Sequence, residues 1–83
     1  MLRKYAPLQQ HLQRRNGRPE LLSFEDIEEI IRAQLPRSAA AHRSFWANDA
    51  RGHHSHARAW IGAGYRVAWV DRADRVVRFE RTR

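Results

Sequence analysis

The sequence predicts a small α+β domain of three to four short helices followed by a C-terminal two-stranded antiparallel hairpin. Apolar residues recur at helical spacing over the first three quarters of the chain, whereas from Tyr65 onward the apolar period is two. Eighty-three residues provide enough chain for one hydrophobic core and no second one. We therefore expect residues 1–83 to form a single domain.

The first helix is predicted over about Ala6–Asn16, because apolar residues recur through Leu8 and Leu12 and Gly17 provides a stop. A short extended segment, 20–22, then leads to the next helix. That helix has a strong start signal: Ser23 can cap its first turn, and the Asp26 side chain can reach back to the Ser23 amide.

Two central helices are predicted on either side of Leu35-Pro36, since a residue before proline leaves helical geometry and proline suits a first helical turn. The second would run from Pro36 to Trp46 with Ala39, Phe45 and Trp46 on one side. Arginines would lie towards the other side. This arrangement is the outline of a helix-turn-helix.

The C-terminal part is predicted as an exposed loop, 48–55, a short helix, 56–63, and two strands joined by a turn at 71–74. Helices followed by a hairpin are typical of a winged helix, with the hairpin as the wing. The loop and helix between the second central helix and the hairpin depart from that order. A compact α+β domain with a basic face is equally consistent with the sequence.

All three tryptophans, Trp46, Trp60 and Trp69, fall on faces that are predicted to point inward. Core packing is therefore their expected role, and their indole N–H groups should find acceptors. An exposed Trp46 would instead indicate a base-stacking platform or a protein-binding hot spot.

The formal net charge of +7 is unevenly distributed along the chain. Residues 1–35 hold six Lys/Arg against five Asp/Glu, whereas residues 36–83 hold ten Arg against four acids. The codon bias of a GC-rich genome would account for the preference for arginine over lysine, but not for the position of the charge. The asymmetry favours a polyanionic partner, most simply nucleic acid.

Arginines around the second central helix, the following loop and the hairpin are the expected phosphate contacts, and small polar residues at the start of that helix are the best candidates for base contacts. The candidate DNA-binding residues are Arg37, Ser38, Arg43, Ser44, Arg51, Arg58, Arg72, Arg75 and Arg78.

Three histidines, His53, His54 and His56, lie near Asp49 and raise the question of a metal site. A structural zinc site normally needs four ligands, often from two places in the chain, so we expect partly solvated histidines and no metal. An HNH-type nuclease would need its hairpin before the helix, and here the hairpin follows the loop. Without a cysteine nucleophile or a phosphate-binding Gly-rich loop, we expect neither enzymatic activity nor a cofactor.

Several short motifs span most of the chain: Tyr5-x-Pro7-Leu8, 22–28 (LSFEDIE), Leu35-Pro36-x-Ser38-Ala39, Phe45-Trp46-x-Asn48, Ala57-x-Ala59-Trp60 and Ala63-Gly64-Tyr65-x-Val67. Together they resemble a small uncharacterised bacterial domain family that occurs alone or attached to nuclease or restriction-type modules. The resemblance implies no catalytic residues and favours a role connected with DNA.

The leading expectation is a non-enzymatic DNA-binding protein, either a transcription regulator or an accessory domain. The alternative is a small protein-interaction module (an inhibitor, an antitoxin or an adaptor) that docks a basic face on an acidic partner. The absence of cysteine and of any long apolar run favours a cytoplasmic protein that does not enter the membrane. A DNA reader of this size often gains specificity as a homodimer, although the sequence reveals no interface.

Overall fold

A computed structural model describes residues 3–49 and 55–82 of the chain. Its elements, in order, are helix α1 (Ala6–Arg14), strand β1 (Glu20–Ser23), helix α2 (Phe24–Ile31), helix α3 (Ser38–Ala41), a 3₁₀ helix (Arg43–Trp46), helix α4 (Ser55–Gly62), strand β2 (Tyr65–Asp71) and strand β3 (Val76–Arg81). The predicted α+β class is confirmed.

The strands form one antiparallel sheet in the order β1-β3-β2, so β3 lies in the centre. The predicted hairpin of β2 and β3 is confirmed, and the extended segment before α2 adds β1 as a third strand. Leu22 pairs with Val77 and Val67 pairs with Phe79, and all four side chains are buried against the helices. The opposite face of the sheet contains more exposed residues.

The prediction that Trp69 points inward is wrong, and a β-bulge in β2 is the reason. Val67 opposes Phe79 and Trp69 opposes Arg78, so Ala68 is an extra residue in β2. An extra residue reverses the face on which the following side chains lie. Trp69 is therefore 49% exposed, on the open face of the sheet.

The predicted capping box of α2 is confirmed. The Asp26 N–H donates to Ser23 Oγ over 2.9 Å, and the Ser23 N–H donates to Asp26 Oδ2 over 3.0 Å. The helix ends at Ile31, before the predicted break at Pro36, because Arg32 adopts a left-handed backbone with φ 56°.

The prediction of one continuous helix from Pro36 to Trp46 is wrong. Helix α3 is four residues long, and His42 has an extended backbone that separates it from the 3₁₀ helix. The carbonyl groups that a longer helix would use are bound from outside it: Trp46 Nε1 donates to Ala39 O, and Arg72 Nη1 donates to the carbonyls of Ala40 and Ala41. The helix-turn-helix outline consequently has no second helix long enough to project from the surface.

The core is rich in aromatic side chains, and the inward positions of Trp46 and Trp60 are confirmed. Trp60 Nε1 donates to Asn48 Oδ1 over 2.9 Å, so the indole N–H of each of these two tryptophans has an acceptor. The expectation of a partly solvated histidine is wrong for His56, which is buried and stacks on Phe45 with 3.8 Å between ring centroids. His56 Nε2 also donates to the Phe45 carbonyl over 2.6 Å.

Across residues 3–49 and 55–82, no helix combines the length and the apolar character that crossing a lipid bilayer requires.

Candidate nucleic-acid interface

Four cationic side chains line a groove of about 590 Å³ between α1 and the end of α2. Arg3 and Lys4 precede α1, Arg14 lies in its last turn, and Arg32 follows α2. Pro7, Ile30 and Ile31 also line the groove. We call these four cations and their surroundings the basic groove.

The four cations of the basic groove have no carboxylate within 4.0 Å in the part of the chain that the structure describes. Lys4 Nζ lies 5.4 Å from the centroid of the Tyr5 ring, and no carboxylate of the described residues forms an ion pair with it. Unpaired cations on a groove are electrostatically suited to a polyanion, because binding requires no internal ion pair to be broken first.

The cations are unpaired because the neighbouring acids are engaged elsewhere. Glu20 lies 2.5 Å from His11 and 3.4 Å from Arg15. Asp26 completes the cap of α2, and Glu28 Oε2 accepts the Leu35 N–H over 2.9 Å. Asp26 and Glu28 therefore stabilise the fold, whereas Glu20 pairs with His11, which lines the groove, and with Arg15, which does not.

Glu25 faces the hairpin and not the basic groove. Its carboxylate accepts from Arg75 Nε over 2.9 Å, and its pKa lies below the ordinary value because its own backbone amide and Arg75 both donate to it. Glu29 is the one acid among the residues that line the basic groove in the described part of the chain.

Most of the DNA-contact residues that we predicted on the second central helix are exposed. Arg37 and Arg43 are exposed, and neither has a carboxylate within 4.0 Å among the described residues. Ser38 opens α3 and is half-buried, whereas Ser44 is exposed on the 3₁₀ helix. The two serines thus lie on separate short helices and not on one recognition helix.

The hairpin arginines are engaged within the protein. Arg72 donates to carbonyls at the end of α3, Arg75 pairs with Glu25 and lies over the Phe24 ring, and Arg78 Nε donates to Glu80 over 3.2 Å. These contacts restrict the side chains that a wing would direct at a phosphate backbone.

The last two predicted residues lie elsewhere. Arg58 is exposed on α4, in a shallow depression that also includes Arg3 and Gln9, and it makes contacts of its own within the chain. Arg51 lies outside the described residues.

Sequence reasoning missed the basic groove because it judged the first 35 residues by their net charge. The signal was present in the spacing of α1, where Lys4, Pro7, His11 and Arg14 recur at intervals of three and four residues on one helical face. What the sequence did not reveal was that Glu25, Asp26 and Glu28 are engaged away from this face.

No group of three histidine, aspartate or glutamate side chains is arranged to hold a metal ion within residues 3–49 and 55–82. His53 and His54 lie outside those residues, so the expectation about their loop stays a prediction.

A family sequence profile described as Domain of unknown function (DUF7662) matches residues 5–82, and the chain belongs to this family. The match confirms the expectation of a small domain from a family of unknown function. Comparisons with curated proteins and with solved structures find no match for it.

Proposed function

We propose that this domain binds DNA without catalysing a reaction on it, and that the basic groove contacts the phosphate backbone. The observation that carries the proposal is the set of four cations on one groove with no carboxylate partner in the described part of the chain. Nucleic-acid phosphates are the most abundant polyanion that such a surface meets in the cytoplasm, where we place the protein.

The dimensions of the groove fit a short stretch of backbone. Helix α1 has nine residues, which corresponds to a length of about 13 Å. Phosphates advance by about 3.4 Å along the axis for each nucleotide of a strand, so the groove spans roughly four nucleotides. Arg37 and Arg43 provide two further cations beyond the groove, and neither has a carboxylate partner in the part of the chain that the structure describes.

Phosphate contacts position a protein without reading the sequence of the DNA. We therefore propose an accessory role in DNA binding in preference to sequence-specific regulation by a projecting recognition helix. Attachment to nuclease or restriction-type modules in bacteria, which the resemblance of the motifs implies, would suit an accessory domain that adds affinity for DNA.

The test is binding of the purified protein to labelled duplex DNA across a salt series. Each phosphate neutralised contributes about −0.9 to the slope of log affinity against log salt concentration, so the four cations of the groove predict a slope of roughly −3.6. A slope shallower than about −2 would mean that the groove neutralises fewer phosphates than we propose. Absence of binding at low salt would contradict the proposal.

A protein-interaction module is the second candidate function, and exposed apolar side chains on the sheet favour it. Leu21 is 54% exposed and Trp69 is 49% exposed, and both oppose Arg78 in the sheet register, one from each side. Exposed tryptophan beside arginine is a frequent composition of binding hot spots. An inhibitor, antitoxin or adaptor would use such a face in place of the basic groove.

A further inference from the structure

A second groove, of about 580 Å³, lies between the 3₁₀ helix and strand β2. Its walls include Arg43 and Ala47 on one side and Val67, Trp69 and Val70 on the other. We call it the edge groove, because β2 lies at the edge of the sheet with β3 as its neighbour on the opposite side.

Asn48 already imitates a neighbouring strand at one position of this edge. Its Oδ1 accepts the Val67 N–H over 2.8 Å, and its Nδ2 donates to the Val67 carbonyl over 3.0 Å. These are the two hydrogen bonds that a residue of an added strand would make there. The same Oδ1 accepts from Trp60 Nε1, which fixes the Asn48 amide to the core.

Beyond Asn48, no other strand of the described residues pairs with this edge. No hydrogen bond other than those of the β2–β3 pairing reaches the backbone of residues 68–71 from anywhere in the described part of the chain. An unpaired strand edge is a template for an extended peptide, and native proteins usually protect such an edge. Here the edge of β2 borders the edge groove, and it carries the exposed side chain of Trp69.

The geometry points to a docking site for an extended acidic peptide of another protein, which adds as a fourth strand beside residues 68–71. Trp69 provides an apolar contact for a side chain of the peptide, and Arg43 provides a cation without a carboxylate partner in the described chain. Main-chain hydrogen bonds give affinity in this mode of binding, and side-chain pockets give specificity. The site rests on the second candidate function and narrows it to the β2 edge with Trp69, so that Leu21, which lies on β1 across β3 and does not line the edge groove, takes no part in it. It is independent of the basic groove.

Charge complementarity selects this occupant over a second copy of the chain. The protein carries a formal net charge of +7, and a symmetric pairing of two β2 edges would bring two copies of Arg43 to one interface. An acidic peptide would instead place its carboxylates beside the positive charge of Arg43. A single exposed tryptophan on a largely apolar groove also differs from the series of aromatic platforms that single-stranded nucleic acid uses.

The test uses the full chain to select binders from a phage-displayed library of random peptides about twelve residues long. We expect enriched peptides to be acidic and to alternate polar with β-branched or aromatic residues. A synthetic copy of the leading peptide should then protect the amides of residues 68–71 from hydrogen exchange.

Matched variants locate the binding. We expect Trp69→Ala and Arg43→Glu each to lower the affinity for the synthetic peptide by about tenfold or more. Leu21→Ala is the control for an exposed apolar residue on β1, on the other side of β3 from the edge groove. Arg18→Glu is the control for an exposed arginine without a carboxylate partner among the described residues. Both controls should stay within about twofold of the wild-type affinity.

Three results would overturn the proposal: no acidic peptide is enriched, the exchange protection maps outside residues 68–71, or Leu21→Ala weakens binding as much as Trp69→Ala does. Dimerisation that protects 68–71 without peptide would assign the edge to a second copy. Quenching of Trp69 fluorescence by oligothymidylate, lost in Trp69→Ala, would assign the edge to single-stranded nucleic acid. Neither result bears on duplex binding by the basic groove.

Discussion

The two halves of the chain contrast in how their charges are used. Residues 1–35 have a net charge of only +1, yet they provide all four cations of the basic groove. Residues 36–83 have a net charge of +6, yet their hairpin arginines contact carboxylates and carbonyls of the protein itself. The sum of charges along a segment is therefore a poor guide to the charge that a partner meets.

Acidic side chains make the difference between the halves. In the first half, Asp26 caps a helix, Glu28 binds a backbone amide and Glu25 pairs with Arg75. Glu20 pairs with His11, which lines the basic groove, and with Arg15, which lies outside it. In the second half, Glu80 lies within reach of both Arg66 and Arg78. Of the arginines that we expected to contact DNA, Arg78 is thus engaged by Glu80, and Arg75 is engaged by Glu25 of the first half.

The largest expected effect comes from neutralising the basic groove. Arg14→Ala combined with Arg32→Asn should lower affinity for duplex DNA at low salt by roughly tenfold to a hundredfold and make the salt slope shallower by about 1.8, because two phosphate contacts are lost. Asparagine is used at position 32 because it tolerates the left-handed backbone found there.

The matched control for that double variant is Arg66→Ala combined with Arg78→Ala, which removes the same amount of charge from the second half. Both arginines pair with Glu80. We expect the salt slope of this control to match the wild-type slope. Equal losses in both double variants would mean that net charge, and not the groove, determines binding.

A smaller effect, on stability alone, is expected for Arg72→Ala. The variant loses the hydrogen bonds to the Ala40 and Ala41 carbonyls, which should cost about 1 kcal/mol and lower the Tm by about 4–8 °C. Thermal unfolding followed by circular dichroism measures this. Arg37→Ala, at the other end of the same helix, has no such contact and should leave the Tm within about 1 °C.

The smallest effect is expected for Glu29→Gln, which removes the acid that lines the basic groove. Affinity for duplex DNA should rise by about threefold, because a repulsion of about 0.6 kcal/mol between this carboxylate and phosphate is relieved. Asp74→Asn, an exposed acid in the hairpin turn, makes the same change of charge and should have no effect. If Asp74→Asn also raised the affinity for duplex DNA, the position of the removed acid would be irrelevant.

Local sequence signals predicted the elements whose stability is local. The capping box at Ser23 and Asp26 and the change of period at Tyr65 depend on neighbouring residues, and both are confirmed. Helix α1 ends at Arg14, two residues before the predicted end at Asn16, where the backbone is left-handed. The pairing of β1 with β3 was not predicted, because it joins residues that are more than fifty positions apart in the sequence.

The errors arose where tertiary contacts override the local pattern. A period of two placed Trp69 inside, and the single extra residue of the bulge places it outside. Helical spacing continued through His42, but Trp46 and Arg72 bind the carbonyls that the helix would have needed. The basic groove belongs to the same class, since it depends on where α1 and α2 place their charges relative to each other.

The most direct test of this contrast is arginine-specific modification with a dicarbonyl reagent, followed residue by residue by mass spectrometry with and without duplex DNA. We predict that Arg14 and Arg32 react readily in the free protein and become protected by DNA. Arg72 and Arg75 should react more slowly in both states, because Arg72 Nη1 and Arg75 Nε already donate hydrogen bonds within the protein. DNA-dependent protection of Arg72 and Arg75, with Arg14 and Arg32 unchanged, would contradict the account and return the contact surface to the hairpin.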